Sequence, residues 1–266
     1  MGQIHVFSKL AAPTYEITMK TEFTKMPDSV FFMTMSFLIA LSIIATLTSN
    51  AWLVNHNVLL FIPLFSLVYF IKYKRMNISV IAFILFSFIG DASHLFFNAN
   101  MEVTASSVFY LIGIFYLIFQ SVKKFKLKVI KGIILGYLLV VFLISTFFVL
   151  QVYQALKLVL ESSIEPKLFA LISISLAVLT IISFGVYLKT QSRTSTMFFI
   201  AAISLSFSVG LNYINLYYIN HDVFVILEQS FYALSLYFIF KYAAVSWSYS
   251  QESRLDYDFG SENIFV

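Results

Sequence analysis

Long apolar blocks, each cut off by a short polar or basic turn, run through the sequence from Phe31 to Val245. A helix needs about 20 mainly apolar residues to cross the hydrocarbon core of a bilayer. The blocks predict spans near 31–48, 57–72, 78–97, 103–122, 129–150, 168–188, 196–219 and 223–245. The turns Lys72–Asn77, Lys123–Lys128 and Lys189–Arg193 separate several of them. Barrel strands alternate apolar and polar residues over about ten positions, whereas these blocks are apolar on every side. The expected fold class is therefore all-α: a polytopic membrane protein, a bundle of about eight transmembrane helices. Composition agrees, since 60% of the 266 residues are hydrophobic and 11% charged. Soluble domains carry about a quarter charged residues, and the mean hydropathy here is +0.89.

Three regions follow from the pattern. Residues 1–28 form a polar N-terminal segment, 29–246 the transmembrane helical domain and 247–266 a polar C-terminal tail. The first segment has no sustained apolar run of the kind a cleavable signal peptide needs. Phe31–Thr48 is expected to act as an uncleaved anchor instead. The tail is acidic and is expected to be disordered.

The basic residues predict an orientation. Cytoplasmic loops of membrane proteins are enriched in Lys and Arg. With the N-terminus inside, the inner segments collect 15 of the 17 basic residues and the outer loops only Lys157 and Lys167. Both termini are thus expected in the cytoplasm, in a cell (inner) membrane. The five lysines between Lys123 and Lys131 read as an anchor beside anionic headgroups.

Other partners and chemistries are narrowed by composition. There is no cysteine, so thiol catalysis and Cys-ligated metals are excluded. The basic clusters fall between apolar blocks, which fits topology rather than nucleic-acid binding. No cofactor is expected, and membrane lipids are the expected partners. His56 and His221 fall in outer loops, which gives little support for a metal site. The abundant Phe and Tyr residues read as packing and interfacial belts, with Trp52, Tyr217 and Tyr218 at the outer one.

Ionisable groups inside a span are costly, so each asks for an explanation. The third span carries Gly90-Asp91-Ala92-Ser93-His94, the seventh Ser208, Gly210, Asn212 and Asn215, and the eighth Glu228-Gln229-Ser230 followed by Tyr232. Asp91 and His94, three residues apart, are expected on one helical face. Asp91, Asn212 and Glu228 fall at similar depth in the outer half of the bilayer, so they converge on one pocket if their helices pack together. Asp91, His94 and Glu228 are the candidate catalytic residues. Ser208, Asn212 and Tyr232 are the candidate substrate-binding residues. The competing reading is structural, because buried polar pairs also hold membrane helices together. A transporter needs a path through both halves of the bilayer. The inner halves are nearly free of ionisable groups, and Pro63 is the one broken-helix signal.

The stretch Phe86-Ser87-Phe88-Ile89-Gly90-Asp91 resembles the Phe-Ser-x-x-Gly-Asp motif of the YhhN/lysoplasmalogenase family of eight-helix membrane proteins. Pro63 in the second span, the polar motif late in the seventh and the Tyr-rich eighth extend the resemblance over about residues 31 to 245. The sequence departs from the family at four places. Ile62 stands where the family has Lys, Ser208-Val209 where it has Ser-Asp, Ile114 near a family His, and Ser235 near a family Gln. The resemblance implies hydrolysis of the vinyl-ether bond of lysoplasmalogens, to an aldehyde and a glycerophospho-alcohol. A lysophospholipid would be the substrate. Such a reaction needs an acid to protonate the vinyl carbon and a base to activate water. The alternative is a non-enzymatic relative that binds lipid or serves a structural role.

Overall fold

A computed structural model of the chain describes residues 12–48, 51–73, 75–123, 125, 132–160, 164–219 and 221–262. These residues form helices α1 (Ala12–Leu47), α2 (Ala51–Lys72), α3 (Ile78–Asp91), α4 (Ser93–Phe96), α5 (Ala99–Val122), α6 (Gly132–Val159), α7 (Glu165–Thr190), α8 (Arg193–Tyr217) and α9 (Asp222–Glu262). No strand occurs among the described residues. Six helices, α1 and α5 to α9, are long and apolar enough to cross a membrane. The apolar stretches of α2 and α3, His56–Lys72 and Ile78–Asp91, are shorter. The chain is an integral membrane protein of the helical class.

Packing joins α2, α3, α5, α7, α8 and α9 into a ring, each element against the next and α9 back against α2. Outside the ring, α1 leans on α2 and α9, and α6 leans on α7. The ring interior is filled by large apolar side chains, among them Phe61, Phe65, Phe83, Leu179, Leu236 and Phe240, all sealed from solvent. An aromatic stack, Phe31 on Phe240 and Phe240 on Phe65, ties α1, α9 and α2 together. Close approach of α3 and α5 depends on two glycines. A Cβ on Gly90 would lie 3.2 Å from the Tyr110 ring, and one on Gly113 would lie 3.4 Å from Phe83. Membrane helices associate through small residues in this way because lipid tails give no hydrophobic drive between them.

Several sequence expectations are corrected. The third span is not one helix over 78–97. It ends at Asp91, turns at Ala92 and restarts as the single turn Ser93–Phe96. At 14 residues α3 is about 21 Å long, well short of the roughly 30 Å hydrocarbon core. Irregular backbone at that depth is tolerated where it lines a cavity. The second span begins at Ala51 rather than residue 57, so His56 belongs to a helix and not to a loop. Pro63 lies inside α2 without ending it. The polar tail expected to be disordered continues α9 as helix to Glu262; its Gln, Glu, Arg and Leu residues are good helix formers. Of the five-lysine segment, all but Lys123 lie outside the described residues. Lys123 caps the Phe119 ring, 4.2 Å from its centroid.

The ends of α7 and α8 show why the chain turns where it does. Gln191 takes the left-handed conformation, φ 44°, and closes α7. Ser192 then caps α8, its hydroxyl accepting from the Ser195 amide while Ser195 returns a bond to the Ser192 amide. Such a reciprocal cap satisfies two amides that the helix cannot.

A candidate acidic cavity

The bundle has two ends, one carrying Asn98 and Tyr218, the other carrying Lys123 and Gln191. A cavity of about 350 Å³ opens inside the ring towards the Asn98 end. Its wall includes all six residues singled out from the sequence: Asp91, His94, Ser208, Asn212, Glu228 and Tyr232. Convergence of the third, seventh and eighth spans is thus realised through α3, α8 and α9. Glu102 also lines the cavity, and among the described residues no Lys or Arg does.

Asp91 is the last residue of α3, so its carboxylate projects from a helix end into the cavity. Its Oδ2 accepts the Tyr232 hydroxyl at 2.8 Å. Its Oδ1 accepts the hydroxyl of Tyr110, a residue the sequence reading missed. Each phenol is placed by packing. The Tyr232 ring stacks on Phe61 with centroids 5.9 Å apart. The Tyr110 ring occupies the space that a side chain at position 90 would fill. Tyr232 therefore orients the carboxylate while itself lining the cavity.

His94 does not pair with the Asp91 side chain, because the helix break at Ala92 turns its ring away. Its Nδ1 donates to the Asp91 backbone carbonyl at 3.0 Å. That bond places a proton on Nδ1. The Nε2 atom is buried and has no hydrogen-bond partner among the described residues. The His56 ring meets His94 edge-on, with centroids 5.1 Å apart. The sequence reading had placed His56 away from any intramembrane partner. Among the described residues, no three His, Asp or Glu side chains gather closely enough to hold a metal ion.

Glu228 is six residues into α9, about 9 Å from its start at 1.5 Å per residue. Its carboxyl lines the cavity and accepts no hydrogen bond from any described side chain. Val209 lines the same cavity. The other departures, Ile62, Ile114 and Ser235, are buried in the bundle and contribute nothing to the cavity wall.

A second polar cluster lies beside the cavity. The Asn57 amide donates to Ser42 Oγ at 2.6 Å and to Gln229 Oε1 at 3.3 Å, joining α2, α1 and α9. Asn57 and Ser42 are buried. Gln229 also reaches the cavity wall.

The chain matches no protein-family model, no curated protein and no solved structure.

Proposed function

We propose that the acidic cavity binds single-chain phospholipids and hydrolyses a vinyl-ether bond, in the manner of a lysoplasmalogenase. The observation that carries the reading is Glu228, a carboxyl inside a membrane-spanning helix that faces a cavity and has no fixed partner. An intramembrane ionisable group without a structural partner is by default a functional one. Carboxylates and tyrosine faces without opposing lysine or arginine suit an ammonium headgroup, while the apolar ring accommodates the chain.

The chemistry divides between two carboxyls. Glu228 delivers a proton to the vinyl carbon β to the ether oxygen, giving an oxocarbenium ion. Asp91, held by two phenols, accepts a proton from the water that attacks this cation. The resulting hemiacetal collapses to an aldehyde and the glycerophospho-alcohol. The hemiacetal hydroxyl proton passes to the departing alkoxide, and the proton on Asp91 returns to Glu228 through water. Net, one water supplies the aldehyde oxygen, the hydrogen added to carbon and the hydrogen of the alcohol, so the step balances without a cofactor. Acid–base catalysis of this kind contributes about 10²–10⁴-fold. In the proposed orientation the Asn98 end faces outward and both termini face the cytoplasm, as the distribution of basic residues requires. Reporter fusions at Asn100 and Lys126 should then read outside and inside.

A second reading, lipid binding without chemistry, draws on the same geometry. Both oxygens of Asp91 already accept phenol hydrogens, which suits an orienting anion as well as a base. Incubation of the purified protein with a lysoplasmenyl lipid separates the two. Aldehyde release by the native chain but not by Glu228→Gln supports hydrolysis. Thermal protection by the lipid without aldehyde supports binding alone. The absence of both overturns the proposal.

A further inference from the structure

A second cavity, of about 240 Å³, lies at the opposite, Lys123 end of the ring. Its wall carries hydroxyl groups from four helices, including Ser121, Ser183, Thr190, Ser195, Tyr242 and Ser246. Among the described residues, no carboxylate and no ammonium group lines it. A search of the sequence for charged residues passes over it. The half of the bundle that seemed closed to a polar solute is therefore lined with oxygen acceptors.

The two cavities lie on the same helical faces. Tyr110, Ile172, Ser208 and Tyr232 of α5, α7, α8 and α9 line the acidic cavity. Seven residues further towards the other end on each helix come Leu117, Leu179, Ala201 and Ile239, which line a closely packed apolar layer with no room for a water molecule. Seven residues are about two turns, so each pair faces the same way and is separated by about 10 Å. The hydroxyl-lined cavity begins directly beyond. Phe198 is common to that cavity and the apolar layer, and Leu205 is common to the layer and the acidic cavity. A column of acidic cavity, apolar layer and hydroxyl cavity thus runs along the axis between α5, α7, α8 and α9. The acidic cavity is also lined by the broken helix α3–α4. Discontinuous helices that line a polar site near mid-membrane are a feature of transport proteins.

We propose that this column is a translocation path for small cations bearing N–H donors. The acidic cavity captures the cation, the hydroxyl cavity releases it, and the layer of Leu117, Leu179, Leu205 and Ile239 closes the path in this structure. Unequal chemistry at the two ends suits passage. Carboxylates hold a cation strongly at entry, whereas neutral hydroxyl oxygens take its N–H groups weakly enough to let it leave. A one-layer apolar constriction is a barrier that closes by excluding water. Its two small residues, Ala201 and Ala202, leave room for neighbouring side chains to move aside. This function goes beyond the lipid reaction, and aldehyde release does not bear on it.

The test is uptake of radiolabelled guanidinium by liposomes containing the purified full chain. Guanidinium is permanently charged and does not cross lipid as a neutral base. Native protein should give saturable uptake at least tenfold above protein-free liposomes. Leu179→Ala, which thins the closed layer, should raise it severalfold, and Leu179→Phe should lower it. Excess urea, the neutral isostere, should not compete, whereas excess methylguanidinium should. Circular dichroism and a single chromatographic peak establish that each variant is folded. Native uptake equal to that of protein-free liposomes overturns the proposal, even if Leu179→Ala leaks, because the layer is then ordinary core packing. Competition by urea overturns the assignment to cations.

Discussion

Asn57 and Asp91 are both polar groups inside an apolar ring, yet their surroundings differ in kind. Asn57 donates its amide N–H groups to Ser42 and Gln229 and is packed on all sides, with its Oδ1 buried and without a hydrogen-bond partner among the described residues. Asp91 projects from a helix end into open space, with phenols holding its two oxygens in place. Three helices meet at Asn57, so its bonds hold the scaffold together. At Asp91 the scaffold instead holds a carboxylate towards a volume that another molecule can fill. The contrast gives a rule for reading polar residues in membrane helices: what matters is whether bonding capacity remains on a cavity side.

Four measurements sharpen or break this contrast. The largest effect is expected from Glu228→Gln, which removes the unpaired cavity carboxyl. Vinyl-ether cleavage should fall about 100-fold or more, with an unchanged unfolding midpoint in mixed micelles. A loss of stability instead would make Glu228 a scaffold residue. Asn57→Leu should do the opposite. It removes two hydrogen bonds and leaves Gln229 Oε1 without its donor, while Ser42 keeps its bond to the Leu38 carbonyl, for a loss of about 1–2 kcal/mol of stability. Turnover at saturating lipid should stay within twofold of native. Next comes Gly90→Ala. Its Cβ would lie 3.2 Å from the Tyr110 ring, displacing the phenol from Asp91 by a few tenths of an ångström. Since a 1 Å misplacement can cost about 100-fold, turnover should fall by about 3- to 10-fold. The smallest effect belongs to Gly136→Ala in α6, outside both clusters. A Cβ there meets nothing within 4 Å. Helix propensity alone should raise stability, by at most about 1 kcal/mol, with turnover unchanged.

How much of this was legible in the sequence varied with the range of the forces involved. Length and apolarity are local, so the spans from α5 to α9 could be read directly, with most ends displaced by a few residues, although α6 runs nine residues and α9 seventeen residues past the expected end. The break at Ala92 could not. The stretch Gly90-Asp91-Ala92-Ser93 contains no proline, and Gly90 alone is a weak stop signal. The start of α2 was placed too late because Asn55-His56-Asn57 has the composition of a turn. Asn57 is admitted to the helix by partners in α1 and α9 that no local rule could supply. Six site residues were found because ionisable and amide groups stand out against an apolar background. Tyr110 was missed because a tyrosine among Phe, Leu and Ile looks like packing. One clue was present: Ser106 and Tyr110 are one turn apart, on the side of α5 that Gly90 faces. The hydroxyl cavity was missed for a related reason. Ser121, Ser183 and Thr190 satisfy their hydroxyls on carbonyls three or four residues back, so in sequence they pass for neutral filler.

The length of α9 has a mechanical consequence. Its 41 residues extend about 60 Å, twice the thickness of the hydrocarbon core. The spanning portion ends at Ser246, and the sixteen residues from Trp247… to Glu262 continue the same rod for about 24 Å.

 A soluble domain joined beyond that point would stand off the bilayer on a strut rather than swing on a string. Its distance from the membrane surface would be set by helical rise, narrow in distribution and hardly altered by salt. Energy transfer from a dye at Glu262 to a lipid-surface acceptor would read that clearance as a single sharp distance.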